Sequence, residues 1–213
     1  MRGLIDENCY FSRYMDAALK TTFESNRLFI RPVQLEDNHF MFELLNTPGW
    51  LVNIGDKHIT SLADADRYIQ RLMDDAGSNY WVMLLKSDLL TEGSESQAFE
   101  IRIGVVTCMQ RSYLPNVDIG FALLPLYERQ GYAYEGARAL LVMLTSRVQS
   151  TFILATTLPS NTSSIQLIKK LGLQFEKTIV EHDLLLHVYK ILMDQLKMDL
   201  ALQNNKKPSH RDK

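Results

Sequence analysis

A chain of 213 residues is long enough for one domain with a core of its own, and 46% hydrophobic against 23% charged residues excludes disorder throughout. Lys and Arg total 23 against 25 Asp and Glu, a formal charge of -2. That balance excludes the broad basic excess of a dedicated nucleic-acid binder.

Residues 1–23 are irregular in polarity and read as an N-terminal arm, with Tyr10, Phe11, Tyr14 and Met15 apolar enough to pack on the domain that follows over 24–191. Residues 27–32 predict a first short strand, because bulky side chains precede Pro32, which biases its neighbour toward extended geometry. Leu35, His39, Phe42 and Leu45 recur at helical spacing, Glu36 and Asp37 complement the dipole of the first turn, and Thr47-Pro48-Gly49 breaks the chain. A second helix starts at Ser61 as N-cap with Asp64 at N3, and buries Leu62, Ala65, Ile69, Leu72 and Met73. Gly77 stops it.

Residues 80–85 predict a strand, and the polar stretch 91–97 an exposed hairpin connection. Strands follow at 99–109 and 116–124, the second closed by Pro125. Residues 131–148 predict a helix entered from a tight glycine-bearing loop, 151–157 a strand, and 161–170 a helix capped by Ser160 or Asn161. Two last strands, 174–180 and 184–191, pair through Glu181-His182-Asp183. The order βααβββαβαββ specifies an α/β sheet whose late strand–helix–strand section supplies a parallel portion. Residues 192–213 read as a terminal helix on Leu192, Leu196 and Leu200 followed by a loose basic tail with Lys206, Lys207, Arg211 and Lys213.

The two cysteines, Cys9 and Cys108, are too few and too distant for a disulfide scaffold. The cytoplasm is the expected location, with the nucleus as the alternative. No run of 18 apolar residues is present to cross a bilayer, and the mixed start MRGLIDENCYFSRYMDAALK lacks the apolar region of a secretion signal. Neither a membrane nor a nucleic acid is indicated as a partner. The five histidines are dispersed, so no metal is expected. Cys108 sits in a buried strand context and is expected to pack rather than to act as a nucleophile.

Several fragments then fall into one order: Ser25-Asn26-Arg27-Leu28-Phe29-Ile30-Arg31-Pro32, Asp118-Ile119-Gly120-Phe121, Pro125, Gly131-Tyr132-Ala133-Tyr134-Glu135, Asn161, Ser164 and Lys170-Leu171-Gly172-Leu173. In this order the chain resembles the Gcn5-related N-acetyltransferase (GNAT) superfamily, and within it the branch typified by ribosomal-protein N-terminal acetyltransferases. The resemblance spans roughly residues 24–191. It implies an α/β fold with a mixed, splayed central sheet flanked by helices, and acetyl-coenzyme A as cosubstrate. It places Leu123 and Leu124 of the splayed strand along the pantetheine arm, Arg129, Gln130, Gly131, Tyr132 and Ala133 around the pyrophosphate, and Asn161 and Ser164 near the thioester. The activity it implies is acetyl transfer to a primary amine of a peptide, protein or small molecule, by direct attack within a ternary complex.

For proton transfer the resemblance points to Asp118, an acidic position of the branch, as acceptor of the amine proton. Glu100 is a weaker candidate. Relatives often carry Tyr late in the 161–170 helix as an acid for the departing thiolate; Ile168 stands there and cannot donate, which leaves Ser164, Tyr132, a water, or departure without a protein acid. Glu128 replaces a usual Gln or Arg, and Arg129 a frequent Gly. Those departures support a competing reading, a non-catalytic acyl-coenzyme A-binding or protein-interaction module. A nicotinamide-dependent dehydrogenase is disfavoured by the lack of Gly-x-Gly-x-x-Gly after an early strand. Trp50 and Tyr113 stand near loop boundaries, where an aromatic either walls an acceptor cleft or seals the core.

Overall fold

A computed structural model of the chain describes residues 19–86 and 101–204. Cys9, Glu100, the 91–97 connection and the basic tail lie outside the described residues. The architecture is mixed α/β: one eight-stranded sheet, not closed into a barrel, with helices on its faces. The strands are β1 (Phe23–Glu24), β2 (Leu28–Pro32), β3 (Ser78–Leu85), β4 (Arg102–Met109), β5 (Asp118–Leu123), β6 (Phe152–Thr157), β7 (Gln174–Glu181) and β8 (Leu184–Leu192). In space they run β1-β2-β3-β4-β5-β6-β8-β7. The helices are α1 (Asn38–Leu45), α2 (Pro48–Asn53), α3 (Leu62–Asp74), α4 (Tyr132–Arg147), α5 (Thr162–Lys170) and α6 (Met193–Asn204). Among the described residues no helix is long and apolar enough to cross a membrane.

Alternation along the strands sets the two layers. Trp81, Met83, Val106, Cys108, Ile119, Ile153 and Ala155 face α4 and α6, which return Leu140, Leu141, Leu144, Leu196 and Leu200. Tyr80, Val82, Leu84 and Val105 face the other way, under Met41, Leu44, Trp50 and Ile69 of α1–α3. Leu19 is fully buried in the first layer, and β1 pairs Phe23 with Ile30.

The expected break at Thr47-Pro48-Gly49 is a helix start instead. Thr47 Oγ1 accepts from Trp50 N at 3.3 Å, and Pro48 occupies the first turn, where its missing N–H costs nothing. Ser61 caps α3 as its sequence implies, its hydroxyl accepting from Asp64 N at 3.2 Å. The parallel pair is β5–β6, joined through α4. The later β6–α5–β7 section makes no direct pair, because β8 inserts antiparallel between β6 and β7. The β7–β8 turn is carried by His182 and Asp183, both left-handed with φ 47 and 62, where a glycine is the usual signal.

Candidate active site

The sheet opens where β5 leaves β6. Only Asp118 and Leu154 are paired in register, with Leu154 N donating to Val117 O at 3.0 Å. Leu124 N donates to Ile103 O at 2.9 Å, so the even-numbered residues of β5 bond to β4 and the odd-numbered ones turn their N–H and C=O toward β6. Past the single pair, Phe121 and Leu123 therefore present backbone groups to a gap. Leu124 differs: its N–H is held by Ile103, its C=O accepts from Tyr127 N at 2.9 Å, and its side chain is buried under α1–α3.

Pro125 opens a 3-10 turn to Tyr127, and the chain then loops into α4. Arg129 (φ 58) and Gly131 (φ 85) are both left-handed, which explains why glycine suits either place and leaves Arg129 with the strain of a side chain there. The backbone N–H groups of Gln130, Gly131, Tyr132, Ala133 and Tyr134 find no acceptor among the described residues, and the first inner bond of α4 is Glu135 N to Gly131 O at 3.0 Å. Such a row at a helix N-terminus favours an anion. The Glu128 carboxyl lies toward α2, its Oε1 3.8 Å from where a Cβ on Gly49 would stand.

Residues far apart in sequence brace the loop. Glu135 accepts from Ser25 Oγ, Arg27 N and Arg27 Nε, each at 2.7 Å. Both terminal nitrogens of Arg27 donate to Gln130 O at 3.2 Å, and its guanidinium lies 4.2 Å from the centre of the Tyr132 ring. Gln130 Nε2 donates to Leu126 O at 2.8 Å. Burial raises the pKa of the Glu135 carboxyl, but the donors from Arg27 and Ser25 outweigh it and hold it below its ordinary value. This brace is absent from the sequence reading. Its two halves lie 108 residues apart, and only the motif positions of Arg27 and Glu135 hint at it.

Asp118 lies at the closed end of the gap, on the α1–α3 side, 2% exposed. Arg111 Nε donates to its two oxygens at 2.9 and 3.0 Å, and Thr156 Oγ1 to Oδ2 at 3.2 Å. Burial pushes this carboxyl above its ordinary pKa despite the pull of Arg111 and Thr156. A raised carboxyl is a better proton acceptor, yet the same guanidinium competes for its lone pairs.

On the far side of the gap Asn161 caps α5, its side-chain oxygen accepting from Ser164 N at 3.1 Å. Ser164 is half-buried, and its hydroxyl makes no hydrogen bond among the described residues. Ile168, 1% exposed, is packed into the core. Ala133 and Tyr132 are half-buried in the first turn of α4, and Tyr134, a motif residue to which no role was assigned, carries Lys170 of α5 at 4.5 Å from its ring.

Trp50 is 3% exposed and seals the core beneath α2, whereas Tyr113 is half-buried with Arg111 at 6.0 Å from its ring. Cys108 is fully buried, and burial together with the Asp118 charge pushes its thiol far up, away from the reactive thiolate.

Residues 27–174 match the family described as the acetyltransferase (GNAT) domain. The uncharacterized N-acetyltransferase YnaD of Bacillus subtilis (strain 168) is 25% identical over 152 residues, which are 71% of this chain and 82% of that protein. A Bacillus halodurans protein of known structure is similar with a TM-score of 0.71 at 16% identity, covering 88% of this chain and 99% of that one. Spermidine N-acetyltransferase from Vibrio cholerae, solved with CoA and spermine, gives a TM-score of 0.64 at 15% identity over 80% of this chain and 98% of its own. A ribosomal L7/L12 alpha-N-protein acetyltransferase gives 0.65 at 12% identity, over 81% and 94%. Enzymes of different branches thus score alike, so the structural likeness reaches the fold and does not select the ribosomal branch. With the family match spanning well over half its length, the chain belongs to the GNAT acetyltransferase family.

Proposed function

We propose that this protein transfers the acetyl group of acetyl-coenzyme A directly to a primary amine of a peptide, protein or small molecule. The observation that carries the reading is the row of N–H groups from Gln130 to Tyr134, left without acceptors at the mouth of the gap between β5 and β6. Acetyl-coenzyme A supplies an activated acetyl thioester. Gln130, Gly131, Tyr132 and Ala133 hold its pyrophosphate, with Arg129 on the loop adding a cation, and the backbone of Phe121 and Leu123 binds its arm along the open edge of β5. Asn161 and Ser164 close the other wall. Asp118 takes the amine proton through water, and the Ser164 hydroxyl is the donor nearest to the role that Ile168 cannot fill.

Calorimetry with acetyl-coenzyme A, followed by product detection across a panel of amines, tests the reading. Saturable binding with acetylated product supports it; binding without product on any amine makes the chain a coenzyme-binding module, and no binding by a folded sample removes the site.

A sharper prediction concerns Asp118→Asn. If the carboxylate handles a proton, kcat falls on the order of 100-fold, coenzyme affinity is kept, and the acidic limb of the pH–rate profile is lost. A fall in melting temperature with an unchanged pH profile would assign the residue to the architecture around Arg111 instead.

A further inference from the structure

On the α1–α3 side of the sheet, an open pocket of about 360 Å³ lies between the α2–α3 connection and the outer face of α3. Lys57, His58, Arg67, Gln70 and Arg71 line it, together with Asp64. The charges there do not balance. Asp64 is turned back into its own helix cap, accepting from Thr60 N, Thr60 Oγ1, Ser61 Oγ and Arg67. Asp56 accepts from His58 N at 2.6 Å and faces His58 Nδ1 at 3.1 Å, an arrangement that holds His58 at φ 56. Lys57 and Arg71 have no carboxylate within ion-pair distance among the described residues.

Lys57 is the telling member. It is half-buried, and its ammonium is disfavoured first by that burial and then by the guanidinium of Arg111, with Asp56 offsetting only part. A cation half removed from water, with only part of the cost offset by Asp56, is relieved by an anion. Arg111, whose charge disfavours the Lys57 ammonium, also holds Asp118 at the closed end of the β5–β6 gap. Arg71 lies 5.7 Å from the ring centre of Tyr68, and Tyr68 in turn reaches Tyr80 on β3. The pocket and the Asp118 side chain thus lie on the same, α1–α3 side of the sheet.

We infer that the pocket around Lys57 and Arg71 binds a carboxylate or phosphate carried by the amine acceptor, so that acidic acceptors are preferred and polyamines disfavoured. The inference rests on the transfer reading for the word acceptor, but the anion site stands or falls on binding alone. Both an acidic peptide and a small phosphorylated amine carry this chemistry.

The test uses the full chain saturated with coenzyme A and reads binding directly. A C-terminally labelled peptide Ser-Asp-Glu-Asp is compared by fluorescence anisotropy with Ser-Lys-Gln-Lys, and O-phosphoethanolamine is compared with ethanolamine as competitor. The acidic peptide is expected to bind about tenfold more tightly, with an advantage that shrinks as salt is raised. The exposed or half-exposed double substitution Lys57→Gln with Arg71→Gln should remove that advantage and leave coenzyme affinity unchanged. Competition by O-phosphoethanolamine with no binding of the acidic peptide supports the site and assigns it to phosphate. Equal binding of the two peptides with no competition, or a double variant that keeps the preference, overturns the inference. An acidic peptide that binds through these residues yet is not acetylated when acetyl-coenzyme A is supplied, while another amine is, overturns the link between this site and the acceptor; loss of product on every amine overturns the transfer reading and leaves the anion site standing.

Discussion

Asp37→Asn is expected to cost about 3–5 kcal/mol of stability, read as a lower urea midpoint, while the volume of the side chain is preserved. Asp37 is fully buried between the α1–α3 layer and the sheet. It accepts from Arg31 Nη1 and Nη2 at 2.8 and 2.9 Å, from Arg102 Nε at 2.7 Å and from Gln34 N at 2.8 Å. The single carboxylate thus joins β2, β4 and the turn that starts α1. The amide has no charge to set against the two guanidiniums, and its NH2 group faces donors. A loss below about 1 kcal/mol would mean that water or a shift of Arg102 replaces the carboxylate. Burial alone would raise the pKa of Asp37; Arg31, Arg102 and the Gln34 N–H together bring it below its ordinary value. Its contribution is therefore fully present above the unfolded value of about 3.9 and is lost as the pH falls toward the lower folded value. The gap between wild type and variant should narrow over that window.

Gly131→Val is expected to weaken acetyl-coenzyme A binding by about 30-fold or more, which is about 2 kcal/mol, with the melting temperature nearly unchanged. At φ 85 a β-branched residue is strained, and its Cβ would also stand 3.4 Å from Arg27 Nη2. The loop relieves both by moving, and the N–H row from Gln130 to Tyr134 moves with it. Because Gly131 is exposed, little of the core is disturbed. Calorimetry that finds wild-type affinity would separate the coenzyme from this loop.

Most of the sheet was legible because its strands are short, branched-rich and bounded by Pro, Gly or polar turns. Ser61 and Asn161 announce their helices through caps that the structure contains. What was not legible is long-range. Nothing local places β8 between β6 and β7, since both hairpin strands are amphipathic enough to sit on either side. The two-residue β1 is too short to show a period, and α2 hides behind a proline that reads as a breaker until Thr47 is seen to cap it. The candidate site divides the same way. Gly131 and Asn161 stand out by residue type, whereas the Arg27–Glu135 brace and the unbalanced charge of Lys57 exist only once distant segments meet.

The brace has a bearing on the order in which the molecule comes together. Arg27 and Ser25 meet Glu135 across 108 and 110 residues, so closing that loop costs more entropy than the β3–β4 and β4–β5 hairpins beside it. On that ground the meander and α4 are expected to form before the brace, with the brace among the last steps of folding. Its strength is set against the rate of opening rather than the rate of assembly. The anion-facing loop is consequently a part of the molecule that a nascent chain completes only after its central strands are paired.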